Sequence, residues 1–337
     1  MNLPLRRAIP ALIISLLITS SVLAQSPVLE QNVRAELNFL ASDAMQGRGS
    51  GTIYERIAAE YVGSQFRQFG LEPGGDADGS GNKGFVQRVS LPTRTKAEFS
   101  GRTEVAEANT TWNVIGILRG ADPAAATEAI VLSAHLDHIG VNESLTGDKI
   151  FNGADDDASG CVAVLELARA LGAGKRPRRT IYFVGFGSEE RGGYGSKHFL
   201  DNPPVPLTQI IANLNFEMLG RPDPKVGADK LWLTGYERSN LGPELAKQGA
   251  SLVADPHPQQ HFFQRSDNYN LAVRGVIAQT VSSYGLHADY HRVTDEVSRI
   301  DFPFMTRAIN AMVKPVQWLA NSTFRPEWLP GQAPTRN

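Results

Sequence analysis

The sequence has few of the features that cross-link a chain or attach it to a charged partner. It contains a single cysteine, Cys161, so no disulfide can form within the chain. Basic residues do not outnumber acidic ones, with 33 Lys and Arg against 35 Asp and Glu, so nothing in the charge balance attracts nucleic acid or anionic lipid. The 337 residues, 42% of them hydrophobic, are enough for one large globular domain.

The only long apolar run noted in the sequence lies near its start and is too short to favour a spanning helix. Arg6 and Arg7 precede this run, residues 8–18, and small residues follow up to a Val-x-Ala site that predicts cleavage after Ala24. Residues 1–24 are therefore predicted to be a secretory signal peptide, and the protein is expected to be secreted or periplasmic. Loss of the two arginines changes the formal net charge from −2 to −4. No membrane attachment is expected after cleavage, and an uncleaved anchor is the alternative.

Hydrophobic periodicity divides the rest of the chain into an N-terminal segment, an α/β domain and a tail. Residues 25–112 contain two helical blocks joined by the Gly-rich string MQGRGSGT, which lacks the Gly-Lys-Ser/Thr ending of a phosphate loop. We expect these helices and loops to pack on the catalytic domain. Over residues 113–322, apolar strands alternate with helices, which predicts a three-layer α/β fold with a largely parallel or mixed central sheet flanked by helices. Residues 323–337 are a Pro-rich tail.

The predicted elements of the α/β domain locate its charged residues. The strands are predicted over residues 113–118, 129–133, 180–186, 209–216, 230–233 and 275–279, and the helices over 159–171, 194–200, 242–252, 266–271 and 304–319. Ligands in such folds bind outside the carboxyl ends of the strands. Imidazole and carboxylate side chains recur at these ends: His135, Asp137 and His138 after one strand, Glu189 and Glu190 after another, Glu217 after a third, and His291 further along.

Taken singly, these residues have ordinary explanations. A lone histidine is more often structural than a ligand, and acidic residues after a strand are usually a turn or a helix cap. The string NGADDDASG, residues 152–160, is harder to explain, because three adjacent carboxylates repel one another and Asp is a poor former of helix and strand. A cation is the simplest partner for it. Nitrogen and oxygen ligands without thiolate suit zinc in a hydrolytic site, with cobalt or manganese as possible substitutes.

Seven strings, in this order, make the resemblance specific. They are NVIG from residue 113, AHLDHIG from 134, NGADDDASG from 152, SEERGGYGS from 188, NLNFEMLGR from 213, RSDNYNLA from 265 and DYHRVTDEVSRID from 289. Together they resemble the zinc peptidase family of the bacterial secreted leucyl aminopeptidases, whose more distant relatives include glutamate carboxypeptidase and glutaminyl cyclase.

The resemblance implies a zinc-dependent aminopeptidase with two zinc ions per chain and peptide substrates. Asp156 would bridge the ions. His135 and Glu217 would complete one site, and Glu190 and His291 the other. By the same resemblance, Glu189 would be the general base acting on a water shared by the metals, Asp137 would orient His135, and Tyr290 would donate a hydrogen bond to the oxyanion.

One departure keeps other activities open. Many aminopeptidases of this family carry Asp where this chain has Glu217, although Glu also occurs in bacterial members and in the cyclases. The chain could therefore be a glutaminyl cyclase-like enzyme. A carboxypeptidase would ordinarily need arginines near the motifs, which the sequence does not obviously offer. A non-catalytic binding module on the same fold is the remaining alternative, although every ligand position is filled.

Overall fold

The computed structural model describes residues 28–77, 79–92, 109–283, 285 and 287–335. The predicted signal peptide, residues 1–24, lies outside these ranges. Within them, no helix has both the length and the apolar character needed to cross a membrane. The helices are α1 (Glu30–Leu40), α2 (Ile53–Gln68), α3 (Gly160–Gly172), α4 (Tyr194–Asp201), α5 (Leu241–Lys247), α6 (Asp267–Ala272) and α7 (Phe302–Asn321).

A mixed sheet runs through the middle of the described chain. Its strands are β1 (Glu72–Pro73), β2 (Val86–Ser90), β3 (Thr110–Leu118), β4 (Ala129–His135), β7 (Thr180–Phe186), β8 (Ile210–Phe216), β9 (Leu231–Leu233), β10 (Leu252–Ala254) and β11 (Ala278–Ser282). A separate hairpin pairs β5 (Gly140–Val141) with β6 (Ile150–Phe151).

The order of strands across the sheet decides which loops meet. The order is β1-β3-β7-β4-β8-β11-β9-β10, with β2 also paired to β3. Strand β4 is parallel to both β7 and β8, and β8 is parallel to β11. The four central strands therefore end at one edge of the sheet, where their following loops converge.

Apolar side chains cover both faces of the sheet. Along β4, Ile130 and Leu132 belong to the cluster that also contains apolar residues of α1, α2, α3 and α7. Ala129 and Val131 point to the opposite face, which packs against α4 and α6. This alternation explains why the central strands are continuous apolar runs in the sequence, since both of their faces are buried.

The structure differs from the predicted elements mainly at the edges. The helix predicted over residues 242–252 ends at Lys247, because Gly249 adopts a positive φ of 96° and the chain turns into β10. The strand predicted over residues 275–279 begins three residues later. The short strand β2 lies in the N-terminal segment, where only helices and loops were predicted, and pairs antiparallel with β3.

Candidate metal centre

The five predicted metal ligands lie together at the carboxyl edge of the central strands. His135 is the last residue of β4, Glu190 lies in the turn after β7, and Glu217 directly follows β8. Asp156 lies in the loop that leads into α3, and His291 follows β11. Strand direction therefore places side chains from five distant parts of the sequence around one point.

A first group of possible ligands consists of His135, Asp156 and Glu217. One ligand atom from each lies within 4.8 Å of the others. His135 Nε2 is 3.2 Å from Asp156 Oδ1, while Nδ1 of the same ring donates to the carbonyl oxygen of Asp137 at 3.0 Å. Because a carbonyl can only accept, this bond puts the proton on Nδ1 and leaves the Nε2 lone pair for a metal.

A second group shares Asp156 with the first. Its other members are His138 and Glu190, again with ligand atoms within 4.8 Å of one another. His291 reaches the same point, since its Nε2 is 3.1 Å from Asp156 Oδ2 and 3.2 Å from Glu190 Oε1. The structure therefore gives Asp156 a place between two groups of ligands.

His138 is the residue that sequence reasoning did not assign. It is buried, and its Nδ1 lies 2.9 Å from Glu190 Oε1 and 3.8 Å from Asp156 Oδ2. The signal was present in the string AHLDHIG, where it is the second histidine. Nothing in the spacing of that string indicates whether its ring binds a metal or a ligand of the metal.

Charges in the centre are strongly coupled to burial. Burial alone would raise the pKa of Asp156, but the close contacts of His135 and His291 outweigh it and hold this pKa well below its usual range. Burial and the charge of Asp156 oppose ionisation of Glu190, yet contacts with His138 and His291 lower its pKa to about 2. These two carboxylates are therefore anionic and compensated by imidazoles, as they would be by a cation.

Glu217 behaves differently. Burial, followed by the nearby charge of Asp156 among the groups that oppose ionisation, raises its pKa to about 7. Burial also raises the pKa of Glu189 well above its usual range, and the carboxylates of Asp267 and Glu217 act in the same direction, against His135. A raised pKa is the property that a general base requires for exchanging protons near neutral pH.

Asp137 fixes the turn that carries Glu189 and Glu190. Its Oδ1 accepts from the amide of Glu189 at 2.9 Å and its Oδ2 from the amide of Glu190 at 3.3 Å. The hydroxyl of Ser50 donates to the same carboxylate. Asp137 therefore orients His135 through its backbone carbonyl and holds the catalytic turn through its side chain.

The two neighbours of Asp156 face backbone amides. Asp157 accepts from the amides of His135 at 3.1 Å and Met218 at 3.2 Å, and Asp155 accepts from the amide of Gly220 at 2.7 Å. The peptide bond between Asp156 and Asp157 is cis. The three aspartates thus have separate partners, and only Asp156 belongs to both ligand groups.

A pocket of about 380 Å³ opens beside Glu217. Trp232 and Phe262 form one wall, with ring centroids 5.3 Å apart, and Thr234 and Arg265 also line the pocket. Tyr290 lines it as well, with its ring stacked on His291 at 3.9 Å and its hydroxyl 3.4 Å from an Arg265 nitrogen. The pocket therefore adjoins both predicted metal positions.

The chemistry of these ligands fits zinc. All of them offer nitrogen or oxygen, the set typical of catalytic zinc. Oδ2 of Asp156 is buried and, among the described residues, receives no well-aligned hydrogen bond, and the same holds for Nε2 of His138. Buried polar atoms normally have partners, so a cation at this point would satisfy the carboxylate.

Comparisons with known proteins agree with this geometry. The model of peptidase family M28 matches residues 113–316. Leupeptin-inactivating enzyme 1 of Streptomyces exfoliatus is 36% identical over 117 residues, which are 34% of this chain and 24% of that protein. An aminopeptidase of Pseudomonas aeruginosa is 34% identical over 116 residues, or 34% of this chain and 19% of the relative. The matches thus span less than half of the length of these curated relatives.

Two solved structures share the fold along most of their length. The aminopeptidase from Aneurinibacillus sp. strain AM-1 gives a TM-score of 0.64 at 16% identity, covering 94% of this chain and 99% of that one. BSAP, a zinc aminopeptidase from Bacillus subtilis, gives 0.66 at 17% identity, covering 88% of this chain and 96% of that one. These neighbours confirm the predicted fold class. Since the family pattern matches more than half of the chain, confirming the predicted resemblance, the chain belongs to peptidase family M28.

Proposed function

We propose that the chain is a zinc aminopeptidase that hydrolyses the N-terminal peptide bond of peptides. The observation that carries the proposal is the position of Asp156, shared between two groups of metal ligands, with Glu189 in the turn beside them. Aminopeptidases among the sequence relatives and the structural neighbours support it. The family assignment supports zinc as the metal, and two ions per chain follow from the two groups.

Each ligand group is proposed to hold one zinc ion. His135 and Glu217 would bind one and Glu190 and His291 the other, with Asp156 shared. Zinc ions at these positions would polarise the scissile carbonyl and lower the pKa of a bound water. Glu189 takes the proton of the attacking water and gives it to the leaving amine. Tyr290, stacked on His291 at the pocket, donates a hydrogen bond to the oxygen on which negative charge develops.

The pocket beside Glu217 is proposed to receive the side chain of the N-terminal residue. Glu217 borders this pocket and the first ligand group at once, so a residue seated against Trp232 and Phe262 has its amino group near carboxylates. Opposite charge would hold that amino group in place. The same geometry presents the first peptide bond to Glu189.

The activity is tested by counting bound zinc and offering three kinds of substrate to the purified chain. Release of free N-terminal residues from an aminoacyl panel, with close to two zinc ions per chain, is the expected result. Pyroglutamate from Gln-peptides would establish the cyclase alternative, and cleavage of N-terminally blocked peptides a carboxypeptidase. A chain without zinc that cleaves none of them would be a binding module.

The two histidines near Glu190 are expected to differ in effect. His291 Nε2 is almost equidistant from the oxygens of Asp156 and Glu190, as a shared ion requires, whereas His138 is closer to Glu190 alone. His291→Ala should therefore reduce bound zinc from two ions to one. His138→Ala should keep two ions and weaken the second by about 10–100-fold. Metal analysis after dialysis measures both, and the reverse pattern would make His138 the ligand.

Phe262→Ala is expected to raise KM for substrates with a large N-terminal side chain by about 5–30-fold. The reason is the loss of an aromatic wall worth about 1–2 kcal/mol. KM for substrates with N-terminal alanine should change much less. Phe39→Ala is the matched control, because Phe39 is 38% exposed on α1 and stacks only on Tyr61 among its ring contacts described here. Equal changes of KM for both substrate sizes would place the N-terminal side chain elsewhere.

Export remains a prediction of the sequence. We propose that residues 1–24 direct the chain out of the cytoplasm. Cell fractionation together with N-terminal sequencing of the exported product is the test, with Gln25 expected as the first residue.

A further inference from the structure

The Gly-rich string between α1 and α2 reaches the metal centre, although none of its residues belongs to a ligand group. Arg48 is the clearest case. Its side chain is 1% exposed and lies beneath the loops that carry the metal ligands. A buried arginine is uncommon unless its donors are satisfied, so the partners of Arg48 indicate what it does.

Four hydrogen bonds of Arg48 go to backbone carbonyl oxygens. Nε donates to Leu136 at 3.0 Å, directly after His135. Nη1 donates to Asn152 at 2.7 Å and Nη2 to Gly153 at 2.9 Å, at the start of the loop that holds Asp156. A fourth bond, from Nη1 to Leu40 at 2.6 Å, anchors the guanidinium to the end of α1.

One guanidinium therefore joins two separate ligand loops. The loop after β4 carries His135 and His138, and the loop before α3 carries Asp156. The backbone of Arg48 adds to the link, since its carbonyl accepts from the amide of His138 at 3.2 Å. Both ligand groups contain residues from these two loops, so their spacing depends on this junction.

The same segment also reaches the turn of the proposed general base. Ser50 donates to Asp137, the acceptor of the Glu189 and Glu190 amides. Glu55, at 0% exposure in the first turn of α2, accepts from the amide of Ser188 at 3.0 Å. Three ligand-bearing loops are thus tied to eight consecutive residues of the N-terminal segment.

We propose that Arg48 is a positioning residue of the metal centre, setting the distance between the loop of His135 and the loop of Asp156. A planar group with five donors can reach carbonyls of both loops at once, whereas lysine offers three donors at one point. Its carbonyl partners leave the ligand carboxylates free for metal. The proposal depends on the proposed function only in taking zinc as the metal.

The test measures zinc binding in the absence of any substrate. Arg48→Lys and Arg48→Gln are compared with wild type and with Arg179→Lys. Arg179 is a matched control: it is 2% exposed and donates to Glu128 at 2.6 Å and to the Leu319 carbonyl at 2.7 Å. It directly precedes β7, at the opposite end of that strand from Glu189. Zinc dissociation constants come from competition with a chelating dye, and metal-free folding from thermal melts followed by circular dichroism.

Both Arg48 variants are expected to fold without metal and to bind zinc about 10–100-fold more weakly than wild type. Arg179→Lys should lower the melting temperature and keep the wild-type zinc affinity. Wild-type affinity in the Arg48 variants would overturn the proposal, and so would unfolding of both in the absence of metal while Arg179→Lys folds. If wild type binds zinc but cleaves no peptide, the aminopeptidase proposal fails and this measurement stands.

Discussion

Glu189→Gln is expected to lower kcat by about 10²–10⁴-fold, the usual contribution of a positioned general base. The amide of Gln cannot accept and return a proton, but it has nearly the same shape as the carboxyl group. Because Glu189 belongs to neither ligand group, zinc content should stay near two ions per chain. KM should change little, since the pocket that receives the N-terminal side chain is not lined by this residue.

The adjacent residue supplies a matched control for that variant. Glu190 lies in the same turn, held through its amide by the same Asp137, but its carboxylate belongs to the second ligand group. Glu190→Gln should therefore weaken zinc binding, with activity partly recovered at high zinc concentration. Metal analysis and steady-state kinetics on both variants separate the two roles. Unchanged turnover in Glu189→Gln would remove it from the reaction.

The sequence predicted the central strands better than the edges, for a physical reason. Strands buried on both faces must be apolar throughout, so β4, β7 and β8 were located to within two residues at each end. Strand β2, with the sequence VQRVS, is half-exposed and pairs on one side only. Its alternation is too weak to distinguish it from a loop without its partner strand.

The ligand set was accessible to sequence reasoning because parallel strands bring their carboxyl ends together. That rule places His135, Glu190 and Glu217 near one another without knowledge of any contact. The place of His138 depends on side-chain distances of less than an ångström, which no spacing rule supplies. Arg48 was beyond prediction for another reason: its partners are backbone carbonyls up to 105 residues away, and a carbonyl leaves no trace in the sequence.

Asp156→Asn should have the largest effect on the metal centre, reducing zinc content toward zero and activity by at least about 10³-fold. Asp156 is the residue that the two ligand groups share, so its charge contributes to both sites at once. An amide keeps the size of the side chain but loses the negative charge and one acceptor oxygen. Several kcal/mol of transition-state stabilisation by metal would be lost, and each 1.36 kcal/mol is about tenfold in rate.

The neighbouring aspartates make this prediction specific to position. Asp157 accepts amides of the chain around His135 and Met218, and Asp155 accepts the amide of Gly220. Their Asn variants should lower the melting temperature, because each replaces an acceptor oxygen by a donor that faces an N–H group. Zinc content should nevertheless stay close to two ions. If all three variants lost zinc equally, the loop would act as a cluster of negative charge, and Asp156 would have no special place between the metals.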